Sequence, residues 1–279
     1  TPPAYTELLN TAGIPPDHPS IQVADEDLEL PRTVSASAEY ERLVAPRLAL
    51  YLNYQFARTD NLFRFVNRND AVFGSPWSTG LPAVAGQPSG PDDNQNGIAD
   101  LTVTESSAHS IYNGLTVGLK GSVADWLETE ANYTLSWDKS DDDNERDPFI
   151  FRYARADALE DEWGYSDRDQ RHRFNAYALV KLPHQIFWNN VVRASSAQPV
   201  SEVCENGPTG QRAAAPSDRI CNDGTVLERN TLRKDNEFFS WDVRITRNFR
   251  AGGATIQPIF EVFNLTNSRN IRRPEVTNL

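Results

Sequence analysis

From Glu237 to Asn267 the sequence alternates with a period of two. Phe239, Trp241, Val243 and Ile245 fall on one face, and Ser240, Asp242, Arg244 and Thr246 on the other. This is the signature of a β-strand with one apolar and one polar side. A turn around Gly252-Gly253 follows, and a second arm then puts Ile256, Pro258, Phe260 and Val262 on one side and Gln257 and Glu261 on the other. Each arm is about a dozen residues, against about 5–6 for the usual soluble strand and about 9–11 for a strand that crosses a membrane.

The same pattern recurs. Residues 1–30 are rich in Pro and acidic residues and read as an irregular loop, with at most a helical turn at the TELL sequence. Alternation then predicts hairpins near 33–57, 110–137 and 173–195, ahead of the one at 237–267. Their turns are expected at Ala45-Pro46, Gly121-Ser122 and Leu182-Pro183-His184. The connections between hairpins, residues 58–108, 138–170 and 196–235, are long and polar. Turns within hairpins are short and connections between them are long, throughout. Outer-membrane barrels have this asymmetry, with short periplasmic turns and long extracellular loops. The expected fold is therefore all-β: an antiparallel up-and-down transmembrane β-barrel segment of about eight strands in four hairpins, occupying residues 1–279. Tyr40, Tyr54, Phe56, Trp137, Trp188, Phe239 and Trp241 belong to the outward series and suit interfacial aromatic girdles.

Composition fits this reading. No run of 18 apolar residues is present, which excludes a helical membrane span. A mean hydropathy of -0.57 is compatible with a barrel wall, where only every second residue must be apolar. A net charge of -12 argues against a nucleic-acid partner, because phosphate binding needs clustered Lys and Arg. The chain opens at Thr1 and contains no Met, so it is expected to be processed or to be a segment of a longer protein.

Four stretches, DLELPRTVSASAEYER, YNGLTVGLKGSVADWLETEANYTLSWDKSDDD, SDRDQRHRFNAYALVKLP and NEFFSWDVRITRNFRAGG with EVFNLTN, resemble the barrel of TonB-dependent receptors, specifically the Oar-like group. They are spread in family order from Asp27 to Asn267. The resemblance implies the C-terminal part of a transporter barrel in the outer membrane of a Gram-negative bacterium. Such a barrel has about 22 strands and a plugged lumen. It implies lipid, a ligand of unknown identity and the TonB energy-coupling complex as partners. The plug and the coupling box are expected to lie outside these residues. No ligand-binding residue carries over, because the family's ligand contacts come from the plug and the variable outer loops.

Other constellations are weaker. Asp92, Asn94, Asn96, Gly97 and Asp100 follow the spacing of a calcium loop, with Ile98 offering its carbonyl. Position 12, usually a bidentate Glu, is Val103, so a solvated turn is the preferred reading and no cofactor is expected beyond this candidate calcium. The run DKSDDDNERD from Asp138 reads as a solvated loop. Asp169 and His172 suggest an acid–base pair, but no nucleophile motif accompanies them. Polar anchoring of a strand end is favoured, and no enzymatic activity is expected. Cys204 and Cys221, the only cysteines, share one connection and are expected to form a disulfide. Two readings stand beside the transporter segment: a small outer-membrane barrel with a structural or adhesive role, and a secreted carbohydrate-binding β-sandwich.

The last expectation concerns the sheet edges. Glu39, Glu41, Glu128, Glu130, Asp242, Arg244 and Glu261 fall in the inward series. Enclosing so many charges in a narrow eight-stranded lumen would require near-complete pairing. An open, partial sheet is expected instead.

Overall fold

The structure, a computed structural model, describes residues 21–67, 101–142, 153–154, 158–203, 219, 221, 225–271 and 276–278. The strands are β1 (Ile21–Ala24), β2 (Arg32–Ala45), β3 (Leu48–Asn67), β4 (Leu101–Ala124), β5 (Leu127–Ser140), β6 (Gly164–Tyr165), β7 (His172–Leu182), β8 (Ile186–Ser195), β9 (Ser201–Val203), β10 (Phe238–Arg247), β11 (Phe249–Ala251), β12 (Ala254–Ile256), β13 (Ile259–Val262) and β14 (Val276–Asn278). The main sheet runs β13-β10-β8-β7-β5-β4-β3-β2, so neighbours along this path are successive arms of four antiparallel hairpins. β1 lies parallel to the outer end of β4, and β6 pairs with the end of β5. Among the described residues, β2 and β13 are the two ends of the path and do not pair with each other.

Registers carry each face from strand to strand. Tyr40, Leu52, Val117, Tyr133, Phe174, Ala194 and Phe239 are successive partners on one face. Most of them are exposed. One residue along, Glu39, Asn53, Thr116, Thr134 and Arg173 are successive partners on the other. All seven aromatics expected to point outward lie on the apolar face by this register. On β3 the apolar face is uninterrupted from Leu48 to Phe56, and on β5 Leu127, Ala131, Tyr133, Leu135 and Trp137 carry it with one Thr between. Both spans match the about 9–11 residues of a membrane crossing.

Residues 1–30, expected to be an irregular loop, hold β1 at Ile21–Ala24, and three further boundaries differ from expectation. Residues 58–108 are not one long connection. β3 runs on to Asn67 and β4 begins at Leu101, giving strands of 20 and 24 residues. The sequence hides this because pairing shifts between Thr59 and Arg64, where Asn61 has a φ of 62°, and a shifted register breaks the period-2 pattern. At about 3.4 Å per residue the longer strand reaches about 80 Å, far beyond a hydrocarbon core of about 30 Å. Second, the turn expected at Gly121-Ser122 falls at Asp125-Trp126. Gly121 is instead a strand residue with a φ of 132°, and a Cβ there would stand 2.0 Å from the Arg47 carbonyl oxygen. The glycine lets the adjacent hairpin's turn approach, so that the Ser122 N–H donates to that carbonyl at 2.7 Å. Arg47 also pairs with Asp125, which joins the two turns. Third, the second arm of the last hairpin is not one long strand. It is divided between β12 and β13, separated at Pro258, and β13 matches β10 only from Val243↔Val262 to Thr246↔Ile259. Beyond Val262 the chain folds against the edge of β10. The Asn264 N–H donates to Asp242 Oδ1 at 2.8 Å, and the Asn270 side chain takes both backbone groups of Phe239.

Candidate functional site

The polar face is the first functional surface. Side chains there have counter-charges within reach. Lys120 pairs with Glu41 at 2.8 Å and lies over the Tyr51 ring. Lys181 pairs with Glu128, and Arg244 with Glu261 at 3.1 Å. Asn53 donates to Glu39 at 3.2 Å, and the Thr116 and Thr134 hydroxyls meet at 2.8 Å. A pocket of about 230 Å³ opens on this face between Glu39, Tyr51, Asn53, Thr116, Lys120 and Glu130. Gly118 lies directly opposite Tyr51, and a Cβ at Gly118 would sit 2.3 Å from the tyrosine ring. The glycine makes the space in which Tyr51 lies flat along the wall. Exposed pairs of this kind contribute little stability, because solvent screens them. What they do is keep a charged wall hydrated.

The second surface is the loop end, where most of the buried residues among those described lie. Its centre is ionic. Arg64 donates to Asp141 at 2.8 Å and to the Ser107 carbonyl at 2.7 Å. Asp141 also accepts from the His109 N–H at 2.7 Å and faces its ring, which stacks on Trp163 with centroids 4.5 Å apart. The Tyr153 hydroxyl donates to Asp142 at 2.9 Å, and burial, followed by the Asp142 charge, holds the phenol well above its usual range. Glu162, at the end of the turn Leu159–Glu162, takes both carboxylate bonds from Arg219.

This overturns the solvated-loop reading for Asp138 to Asp142; the rest of that run, 143–147, lies outside the described residues. Asp141 and Asp142 are almost fully buried, Asp141 held by Arg64 and His109 and Asp142 by the Tyr153 hydroxyl, and a buried carboxylate needs such partners. Asp169 and His172 are not brought together. Asp169 accepts from the Asp138 N–H at 2.8 Å and pairs with Arg233, whereas His172 Nδ1 meets the Tyr133 hydroxyl at 2.6 Å on the apolar face. The residues anchor strand ends, as the polar reading held. Arg64, Glu162 and Arg219 had no sequence signal, since nothing local marks a charge whose partner is far along the chain. Asp92, Asn94, Asn96, Ile98 and Asp100 lie outside the described residues. Among the described residues no group of three or more His, Cys, Asp or Glu is placed to hold a metal ion. Cys221 is disulfide-bonded, and the chain's other cysteine, Cys204, lies outside the described residues.

Among the described residues no helix is long and apolar enough to cross a membrane. A family model described as outer membrane beta barrel domain matches residues 1–203. The chain belongs to that family. In this outer membrane beta barrel the apolar face meets lipid and the polar face meets the interior. The short turns belong on the periplasmic side and the loop end outside. None of the curated proteins matches the chain. Among solved structures it is similar to the outer membrane transporter YddB from Escherichia coli, with a TM-score of 0.52 and 9% identity over 90% of this chain and 31% of that one. The FrpB iron transporter from Neisseria meningitidis (F3-3 variant) matches with a TM-score of 0.48 and 11% identity, over 89% of this chain and 29% of that one. The chain thus spans about a third of the length of these structures. The first likeness supports the fold, an antiparallel up-and-down sheet.

Proposed function

We propose that this chain forms part of the wall of a TonB-dependent outer-membrane transporter of the Oar-like group, whose ligand enters from the loop end. The polar face carries the reading. It presents Glu39, Glu41, Lys120, Glu128, Glu130, Lys181, Arg244 and Glu261 to the interior, with Glu41–Lys120, Glu128–Lys181 and Arg244–Glu261 as ion pairs. A wall of this kind suits a wide lumen or one filled by another polar domain, and the open β2 and β13 edges suit continuation into further strands. The YddB likeness adds a transporter as the example of a barrel that contains such a wall. The role is passage of a ligand, without covalent chemistry.

The test is genetic and electrical. A strain lacking the gene for this protein is compared with a strain lacking TonB across a panel of nutrient sources. The expected result is a growth defect on one source that both strains share and the double mutant does not deepen. A large, permanently open conductance in planar bilayers, with uptake that persists without TonB, would overturn the proposal in favour of a passive pore.

A further inference from the structure

One histidine at the loop end joins β4, the end of β5 and the turn Leu159–Glu162. His109 lies on β4 in the part that rises past the apolar band. Its backbone N–H donates to Asp141 Oδ1 at 2.7 Å. Its ring Nδ1 stands 2.8 Å from Asp141 Oδ2, the oxygen that also takes Arg64. The same ring lies on Trp163, 12° from parallel with centroids 4.5 Å apart. Trp163 closes the turn, and Glu162 beside it is fixed by Arg219 and by the Ala154 N–H. The imidazole is therefore sandwiched between a carboxylate that belongs to the sheet and an aromatic ring that belongs to the turn.

A ring nitrogen this close to a carboxylate oxygen carries a hydrogen, so the neutral ring holds its proton on Nδ1 and the next proton goes to Nε2. That second proton turns a neutral hydrogen bond into a charge-assisted one. It also turns the stack on Trp163 into a cation–π contact. The charged groups around the ring come from both sides. Asp141 with Arg64 faces it from the end of β5. Asp60 on β3, paired with Arg58 and close to Arg32, lies within electrostatic reach. The like charge of Arg64 is offset by Glu105, its register partner, and by Asp142, bonded to the Tyr153 ring that Arg64 overlies. An imidazolium thus meets two carboxylates and a ring face, and it loses the ring face when the turn moves away. Protonation favours the closed arrangement. The gain is complete in acid and is lost as pH rises through about 5 to 8, where histidine changes charge. We propose that His109 is a pH-sensitive latch that clamps the turn carrying Trp163 to the sheet in mildly acidic medium and loosens it in alkaline medium. Its consequence rests on the transporter reading, because the latch lies at the end where the ligand enters.

The test is hydrogen exchange of the purified protein in detergent at about pH 5.5 and about pH 8, corrected for the intrinsic pH dependence of exchange. Residues 159–165 are expected to exchange about threefold to fivefold more slowly at the lower pH. His109→Gln keeps the backbone bond to Asp141 and cannot gain a charge, so its corrected exchange should be the same at both values. Trp163→Leu removes the stacked ring alone and should shrink the response to less than about twofold. His172→Gln, away from the latch, should keep the full response. Exchange from Leu48 to Phe56 serves in every protein as the check that the sheet is folded. Equal exchange at the two pH values in the wild-type protein would overturn the proposal without any variant. So would an undiminished response in folded His109→Gln or Trp163→Leu, or its loss in His172→Gln. The uptake panel reads the transporter proposal separately: uptake that persists without TonB leaves this pH response standing, and a flat response leaves TonB-linked uptake standing.

Discussion

Arg64 and Asp141 lie 77 residues apart and meet at 2.8 Å with both side chains almost completely buried. Arg64 comes from the part of β3 that rises past the membrane band, and Asp141 follows the end of β5. The pair ties the tall outer part of the β3–β4 strand pair to the end of β5. Asp141→Ala removes one partner and leaves a buried guanidinium, which costs about 3–5 kcal/mol. The loss should be local. Hydrogen exchange is expected to rise in residues 62–67 and 101–108 and to stay unchanged from Leu48 to Phe56. Uniform acceleration along β3 would show that the loop end and the spanning part unfold together.

Tyr153 gives a pH dependence on the alkaline side. Its phenol is held neutral by burial and by the Asp142 charge, so its folded pKa stands above the unfolded value. Such a group contributes stability that is complete below the unfolded value of about 10 and is lost as pH rises beyond it. Loop-end structure, followed through Trp163 fluorescence, is expected to weaken as pH climbs past about 10. In Tyr153→Phe that particular alkaline loss should disappear, although the bond to Asp142 is gone and the starting stability is lower. An identical alkaline profile in both proteins would contradict this account.

Leu115 and Thr116 are adjacent on β4 and point to opposite faces. Leu115 is exposed on the lipid side, whereas Thr116 meets Thr134 on the polar side. Leu115→Arg is expected to cost about 2 kcal/mol, because the position partners Tyr54, between the middle row at Leu52 and the outer rim. An arginine at Thr116 faces Glu39 and Asn53 and should cost less than about 1 kcal/mol. Denaturant titration of the protein folded into lipid vesicles measures both. Equal costs would mean the faces are wrongly assigned.

Cys221 is expected to pair with Cys204 and to close an outer loop. The non-reduced protein should resist alkylation and weigh two hydrogens less than the reduced form. Two alkylatable thiols in the folded protein would refute the pairing.

The hairpin plan was legible in the residues alone. Alternation at Phe239, Trp241, Val243 and Ile245, and again at Leu115, Val117 and Leu119, assigns strands and faces because a two-residue period needs only local information. The contrast of short turns and long connections placed the two ends of the sheet for the same reason. The assembled sheet alone set how far β3 and β4 rise, because Asn61 shifts the register and the local pattern stops reporting on pairing that continues. Only it decided that the last arm breaks at Pro258 and then caps β10 through Asn264 and Asn270. The loop-end site was the least legible part. Asp141 and Asp142 sit in a run of charges that looks solvated, and Arg64, Glu162 and Arg219 look like ordinary surface residues. Their burial depends on counter-charges tens of residues away, and a side chain's own neighbours in sequence carry no record of the partner that makes burying its charge affordable.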